Sequence, residues 1–140
     1  SDNKDSWKFV HITDIHIGSS DSYRFAPVWN EQWETAAEQI KAINPELVLV
    51  GGDITRDGDT EPEQFANSIK QLNTLGIPWH LIPGNMDTGN KIADRPGARM
   101  PERNDLELNI TEENLQVFKD QAAPFPWTFT HRGIRFSGCY

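Results

Sequence analysis

Three short apolar runs mark the first part of the chain: "KFVHITD" (8–14), "ELVLVGGD" (46–53) and "PWHLIPGN" (78–85). Each is rich in Val, Ile or Leu and passes directly into Asp, Gly or Asn. Such runs predict strands buried on both faces, as in a mainly parallel sheet. Between the first two lies "WNEQWETAAEQIKAI" (29–43), whose Trp29, Trp33, Ala36, Ala37, Ile40 and Ile43 recur at helical spacing before "NP" stops them. Between the second and third, Phe65, Ile69, Leu72 and Leu75 predict a helix from about Pro62 to Leu75, ended by Gly76. The order β-α-β-α-β implies an α/β layer with crossover connections. Residues 86 to about 110 hold few apolar side chains and predict a long loop. A third helix is expected near Glu112 to Gln121, with Thr111 as its N-cap, and "WTFTHRGIRFSGCY" alternates around "HRG" like an antiparallel hairpin.

Composition narrows the function classes. A length of 140 residues fits one domain, and 36% hydrophobic residues with five Trp are enough for a packed core. A formal charge of −8 disfavours non-specific binding to nucleic acid or anionic membranes, which relies on surplus Lys and Arg. No apolar run approaches the roughly 20 residues of a membrane span. The single cysteine, Cys139, excludes an internal disulfide and is expected as a buried strand residue. The polar start "SDNKDS" (1–6) reads as a flexible end before a domain over 7–140. The compartment stays open.

All three predicted strands end in residues that ligate metals. The first gives Asp14 and His16, two apart, which in extended chain would project to the same side. The second gives Asp53 after Gly51-Gly52, and the third gives Asn85 after Pro-Gly, with Asp87 beyond it. Ligands of open α/β sheets sit at this carboxyl edge. A mixed Asp, His and Asn set suits Mn, Fe or Zn better than a thiolate site does. Taken alone, Asp87 reads as a turn or cap residue, and His11 and His80 as packed, hydrogen-bonded strand histidines. A dinucleotide-binding domain is excluded because no G-x-G-x-x-G follows the first strand.

"DIH" at 14–16, "GGD" at 51–53 and "GNMD" at 84–87 resemble the first three motifs of the calcineurin-like metallophosphoesterases. The resemblance covers about residues 7–140. It implies an α/β fold of the metallophosphatase αββα-sandwich type and a hydrolase of phosphate mono- or diesters. It further implies that Asp14 and His16 bind a first metal, that Asp53 bridges two, and that Asn85 binds the second. In such a dinuclear site a metal-bridging hydroxide attacks phosphorus in line, while Asp53 and Asn85 act catalytically by positioning metal and phosphate.

Two departures from the family pattern bear on activity. Met86 stands where the family has a histidine, and a thioether cannot exchange a proton at neutral pH. Lys91, Arg95, Arg99 and His131 are the cationic or titratable groups that could substitute, although each reads first as a solvated loop charge. The family's fourth and fifth motifs, with three further histidines, do not occur before Tyr140. The chain is therefore expected to be the N-terminal part of a catalytic domain, truncated and weak or inactive alone. Apolar faces around Phe129, Ile134 and Phe136 would need an oligomer or the missing half to cover them. The competing function class is a non-catalytic binding or scaffold module on the same fold, with Met86 as its symptom. A scaffold has no need of four ligand-type residues, which favours the enzyme.

Overall fold

A computed structural model describes residues 6–20, 22, 26–89 and 110–140. The polar start (1–5), the segment 90–109 and the side chain of Trp29 lie outside the described residues. With that segment fall the loop charges Lys91, Arg95, Arg99 and Arg103. The three apolar runs form β1 (Phe9–Ile12), β2 (Leu47–Val50) and β3 (Trp79–Leu81), paired in parallel in the order β1-β2-β3. Phe9 lies opposite Leu47, and Val48 opposite Trp79, so alternate residues of all three strands share a face. Burial on both faces holds for the central β2 alone. In β1 alternate residues are open to solvent, with Phe9 at 48% exposure, because an edge strand has a neighbour on one side only.

Val48, Val50 and Leu81 supply the helix-facing side of the sheet, with Val10, Ile12 and Trp79 packed around them. Against them lie α1 (Pro27–Ile43) and α2 (Glu63–Asn73), through Trp33, Ala37 and Ile40 from the first and Phe65 and Leu72 from the second. Helix α1 begins two residues before its apolar pattern because Pro27 suits the first turn, and it ends where Asn44 turns left-handed (φ 54°). The Trp33 indole N–H donates to the Gln71 carbonyl at 3.0 Å, tying the two helices. After a short turn α3 (Asn85–Thr88), α4 (Glu112–Gln121) adds Leu115 and Phe118 to the same core. Thr111 caps α4 as predicted, its hydroxyl accepting from the Asn114 N–H at 3.0 Å. Among the described residues no helix is long and apolar enough to cross a membrane.

The expected hairpin is β4 (Trp127–His131) and β5 (Ile134–Gly138). It covers the other face of the sheet: Phe129 stacks on His80 with ring centroids 3.8 Å apart, and Phe136 meets Phe9 at 6.0 Å. The Trp127 indole N–H donates to the Leu81 carbonyl at 2.7 Å. His80 is thus a packed histidine, and burial pushes its pKa down. Four expectations are corrected here. Phe129 and Phe136 are not left uncovered, because they pack on the sheet, whereas Ile134 is exposed as expected. His11 is exposed, because on the hairpin-facing side of the edge strand the rings of Phe129 and Phe136 pack on His80 and Phe9 and leave it uncovered. Cys139 is exposed, because β5 ends at Gly138 just before it. His131 cannot stand in at a site on the carboxyl edge, because it sits at the hairpin turn beside Glu46, at the amino end of β2.

Candidate metal centre

Beyond their last paired residues, β1 and β2 keep running side by side. The Asp14 N–H donates to the Gly52 carbonyl and the His16 N–H to the Asp53 carbonyl, both at 3.0 Å, and Ile17 bridges to Thr55. This ladder sets Asp14 and His16 level with Asp53. Ligand atoms of Asp14, His16 and Asp53 all lie within 4.8 Å of one another. His16 Nε2 is 3.4 Å from Asp14 Oδ1.

The two side chains of the first motif do meet, but not by extended alternation. Asp14 (φ 57°), His16 (φ 53°) and Asp53 (φ 49°) all adopt the left-handed backbone conformation. Each such non-glycine residue costs on the order of 1 kcal/mol or more, and such strain concentrates at functional sites. Three strained residues converge on one point.

Asn85 begins α3 and lines the same cleft as Asp14 and Asp53, a space of about 430 Å³. Gly52 (φ 105°) lets the β2 loop touch the β3 loop: a Cβ there would meet the Gly84 nitrogen at 2.6 Å. Asp87, the further carboxylate of the third motif, is only 1% exposed and faces inward. It accepts from the Thr55 N–H at 3.0 Å, the Thr55 hydroxyl at 2.7 Å and the Gly84 N–H at 2.9 Å. It thereby joins the loops that carry Asp53 and Asn85. Burial pushes its carboxyl up to about 6, against the pull of those donors.

Met86 contributes its backbone. Its N–H donates to Asp53 Oδ1 at 2.9 Å. The Thr13 hydroxyl, donating at 2.7 Å, holds the Asp14 carboxyl below its ordinary pKa, while burial pushes that of Asp53 up. Two carboxylates and an imidazole this close, one of them penalised by burial, form a hard-to-borderline donor set that a divalent cation would relieve. The fit to a metal ion is good.

Sequence reasoning missed Thr13, the inward staple by Asp87 and the presence of Tyr140 in the cleft lining. The capping geometry of Asp87 has a local signal in its place three residues after Gly84. Thr13 has one as well, since it directly precedes Asp14 and bonds to it locally, whereas Tyr140 reaches the cleft by tertiary packing.

The chain matches the family of calcineurin-like phosphoesterases over residues 8–136. It is 35% identical over 81 residues to a 3′,5′-cyclic-nucleotide phosphodiesterase of Nostoc sp., covering 56% of this chain and 30% of that protein. It is 32% identical over 95 residues to a probable cyclic nucleotide phosphodiesterase of Moraxella catarrhalis, covering 64% and 31%. A UDP-2,3-diacylglucosamine hydrolase of Yersinia pseudotuberculosis is 34% identical over 79 residues, covering 50% and 33%. The matches thus span about a third of the length of these relatives.

Proposed function

The chain belongs to the calcineurin-like phosphoesterase family, and on that premise we propose that its cleft is a metal-dependent site for hydrolysis of phosphate mono- or diesters. The observation that carries this reading is the convergence of Asp14, His16 and Asp53 within 4.8 Å, on backbone held in a left-handed conformation. Asp14 and His16 would hold one ion, Asp53 would be shared, and Asn85 would serve a second. Bound there, ions of the Mn, Fe or Zn type would supply Lewis acidity and a nucleophile at neutral pH.

The chain's own groups have distinct tasks. Thr13 favours the ionised form of Asp14 through its hydroxyl, and the Met86 N–H orients Asp53. Gly51, Gly52 and Gly84 line the cleft without side chains, so a phosphoryl group can come close to backbone. The Asn85 amide can donate to a phosphoryl oxygen. Met86 neither gives nor takes a proton, so the departing oxygen gets no help from that position. Esters with good leaving groups are therefore the favoured substrates. Two relatives are named for cyclic nucleotides, which makes a cyclic nucleotide the first natural class to assay, although its sugar-oxygen leaving group should make it slower than an aryl diester.

The test is hydrolysis of an aryl phosphodiester with Mn²⁺ present and with chelator. Turnover should require the metal, and Asp53→Asn should lower it about 10²-fold or more. Equal turnover in chelator would remove the two-metal reading. Met86 is the observation that favours the scaffold alternative, and metal-dependent phosphate binding without turnover would select it.

A further inference from the structure

Arg56 faces the ring of His16. Its guanidinium Nη1 stands 3.5 Å from His16 Nδ1, while His16 Nε2 lies 3.4 Å from Asp14 Oδ1 on the other side of the ring. The fold builds this placement. The Arg56 N–H donates to the Ile17 carbonyl at 2.9 Å, one step beyond the bridge between Ile17 and Thr55, and both of those residues are fully buried. The ladder that sets Asp14 and His16 level with Asp53 therefore also brings Arg56 beside His16.

A guanidinium carries five N–H groups and no acceptor. His16 Nδ1 must then offer its lone pair to Arg56, and in a neutral imidazole the ring proton sits on Nε2, facing Asp14. An ion among Asp14, His16 and Asp53 asks for the opposite arrangement. Bound through Nε2, it would take the lone pair there and leave the proton on Nδ1, pointing at the N–H of Arg56. Bound through Nδ1, it would need the place that Arg56 fills. Histidines that hold metals ordinarily donate their other N–H to a carboxylate, a carbonyl or water. Here that partner is itself a donor, and a cation.

We infer that Arg56 is an internal competitor of the metal ion: its guanidinium in this position and an ion on His16 exclude each other, so the site takes metal only as Arg56 gives way. The long side chain can turn aside while its backbone stays in the ladder. The inference rests on the proposed metal site and adds to it a residue that lowers the affinity of that site.

The test is a gain of affinity. Mn²⁺ is titrated calorimetrically into the unmodified chain, Arg56→Gln and Arg56→Ala, each variant first checked for an unchanged melting curve. The glutamine carbonyl can accept from an Nδ1–H, and in the alanine variant water can do so. Both should bind Mn²⁺ about tenfold tighter than the unmodified chain, the size of effect that such partners have. A residue that only props His16 in place would give the reverse, so equal or weaker binding in either folded variant would overturn the inference. A second reading needs no substitution. In proton–nitrogen NMR of the histidine rings of the unmodified chain, with chelator at mildly alkaline pH, the His16 ring proton should lie on Nε2. A proton on Nδ1 there would overturn the inference as well. Binding of Mn²⁺ by none of the three proteins would overturn the metal site itself, and the inference with it.

Discussion

Asp87 shows how one side chain can hold a site together without entering it. Its carboxylate collects the Thr55 N–H and hydroxyl, both buried, and the part-buried Gly84 N–H. Truncation would leave buried donors without partners, each costing about 1–3 kcal/mol. We therefore expect Asp87→Ala to destabilise the chain by about 3 kcal/mol or more in urea unfolding. Mn²⁺ affinity should fall with it, since the loops bearing Asp53 and Asn85 lose their tie. A change below about 0.5 kcal/mol would show the staple to be incidental. At this scale the sequence was only partly legible. The residue types Asp14, His16, Asp53 and Asn85 announced metal chemistry, but the left-handed backbone that makes the first three converge is a product of the parallel ladder. Extended alternation from Asp14 to His16 suggested the same meeting for the wrong geometric reason.

Between elements, the hairpin is fastened to the sheet at its far end by charge. Glu46 Oε1 accepts from Arg132 Nε at 2.7 Å and lies 3.1 Å from His131 Nε2. Arg132, then burial in the opposite sense, then His131 set the Glu46 pKa, and the net effect is a lowered value. A carboxyl lowered in the folded state stabilises the fold above its unfolded pKa of about 4.5 and loses that contribution as pH falls through its folded value. Amide protection in β4 and β5 should thus drop below about pH 4.5 more steeply than protection in β2, and Glu46→Gln should remove the difference. Identical pH profiles for the two regions would show that the clasp does not hold the hairpin. The elements themselves were readable from apolar period and turn residues: α1, α2, α4 and the hairpin fall within two residues of their predicted bounds. What escaped was environment. Edge position exposes Phe9 and His11, and the early end of β5 exposes Cys139. Neither follows from local pattern.

For the molecule as a whole, the candidate centre concentrates strain and like charge at the carboxyl edge of β1 and β2. Three left-handed non-glycine residues and two adjacent carboxylates oppose folding there, and a bound cation would offset both. Mn²⁺ at about 100 times its dissociation constant should add about 2.7 kcal/mol, visible as a rise in melting temperature that chelator reverses. A melting temperature indifferent to Mn²⁺ would argue that the edge is stable without an ion.

The most direct test of the central claim is calorimetric titration of Mn²⁺ into the chain and into Asp53→Asn. The account predicts saturable binding by the unmodified chain and its loss, by about 10-fold or more in affinity, when the Asp53 carboxylate becomes an amide. Unaltered Mn²⁺ binding in Asp53→Asn would contradict it.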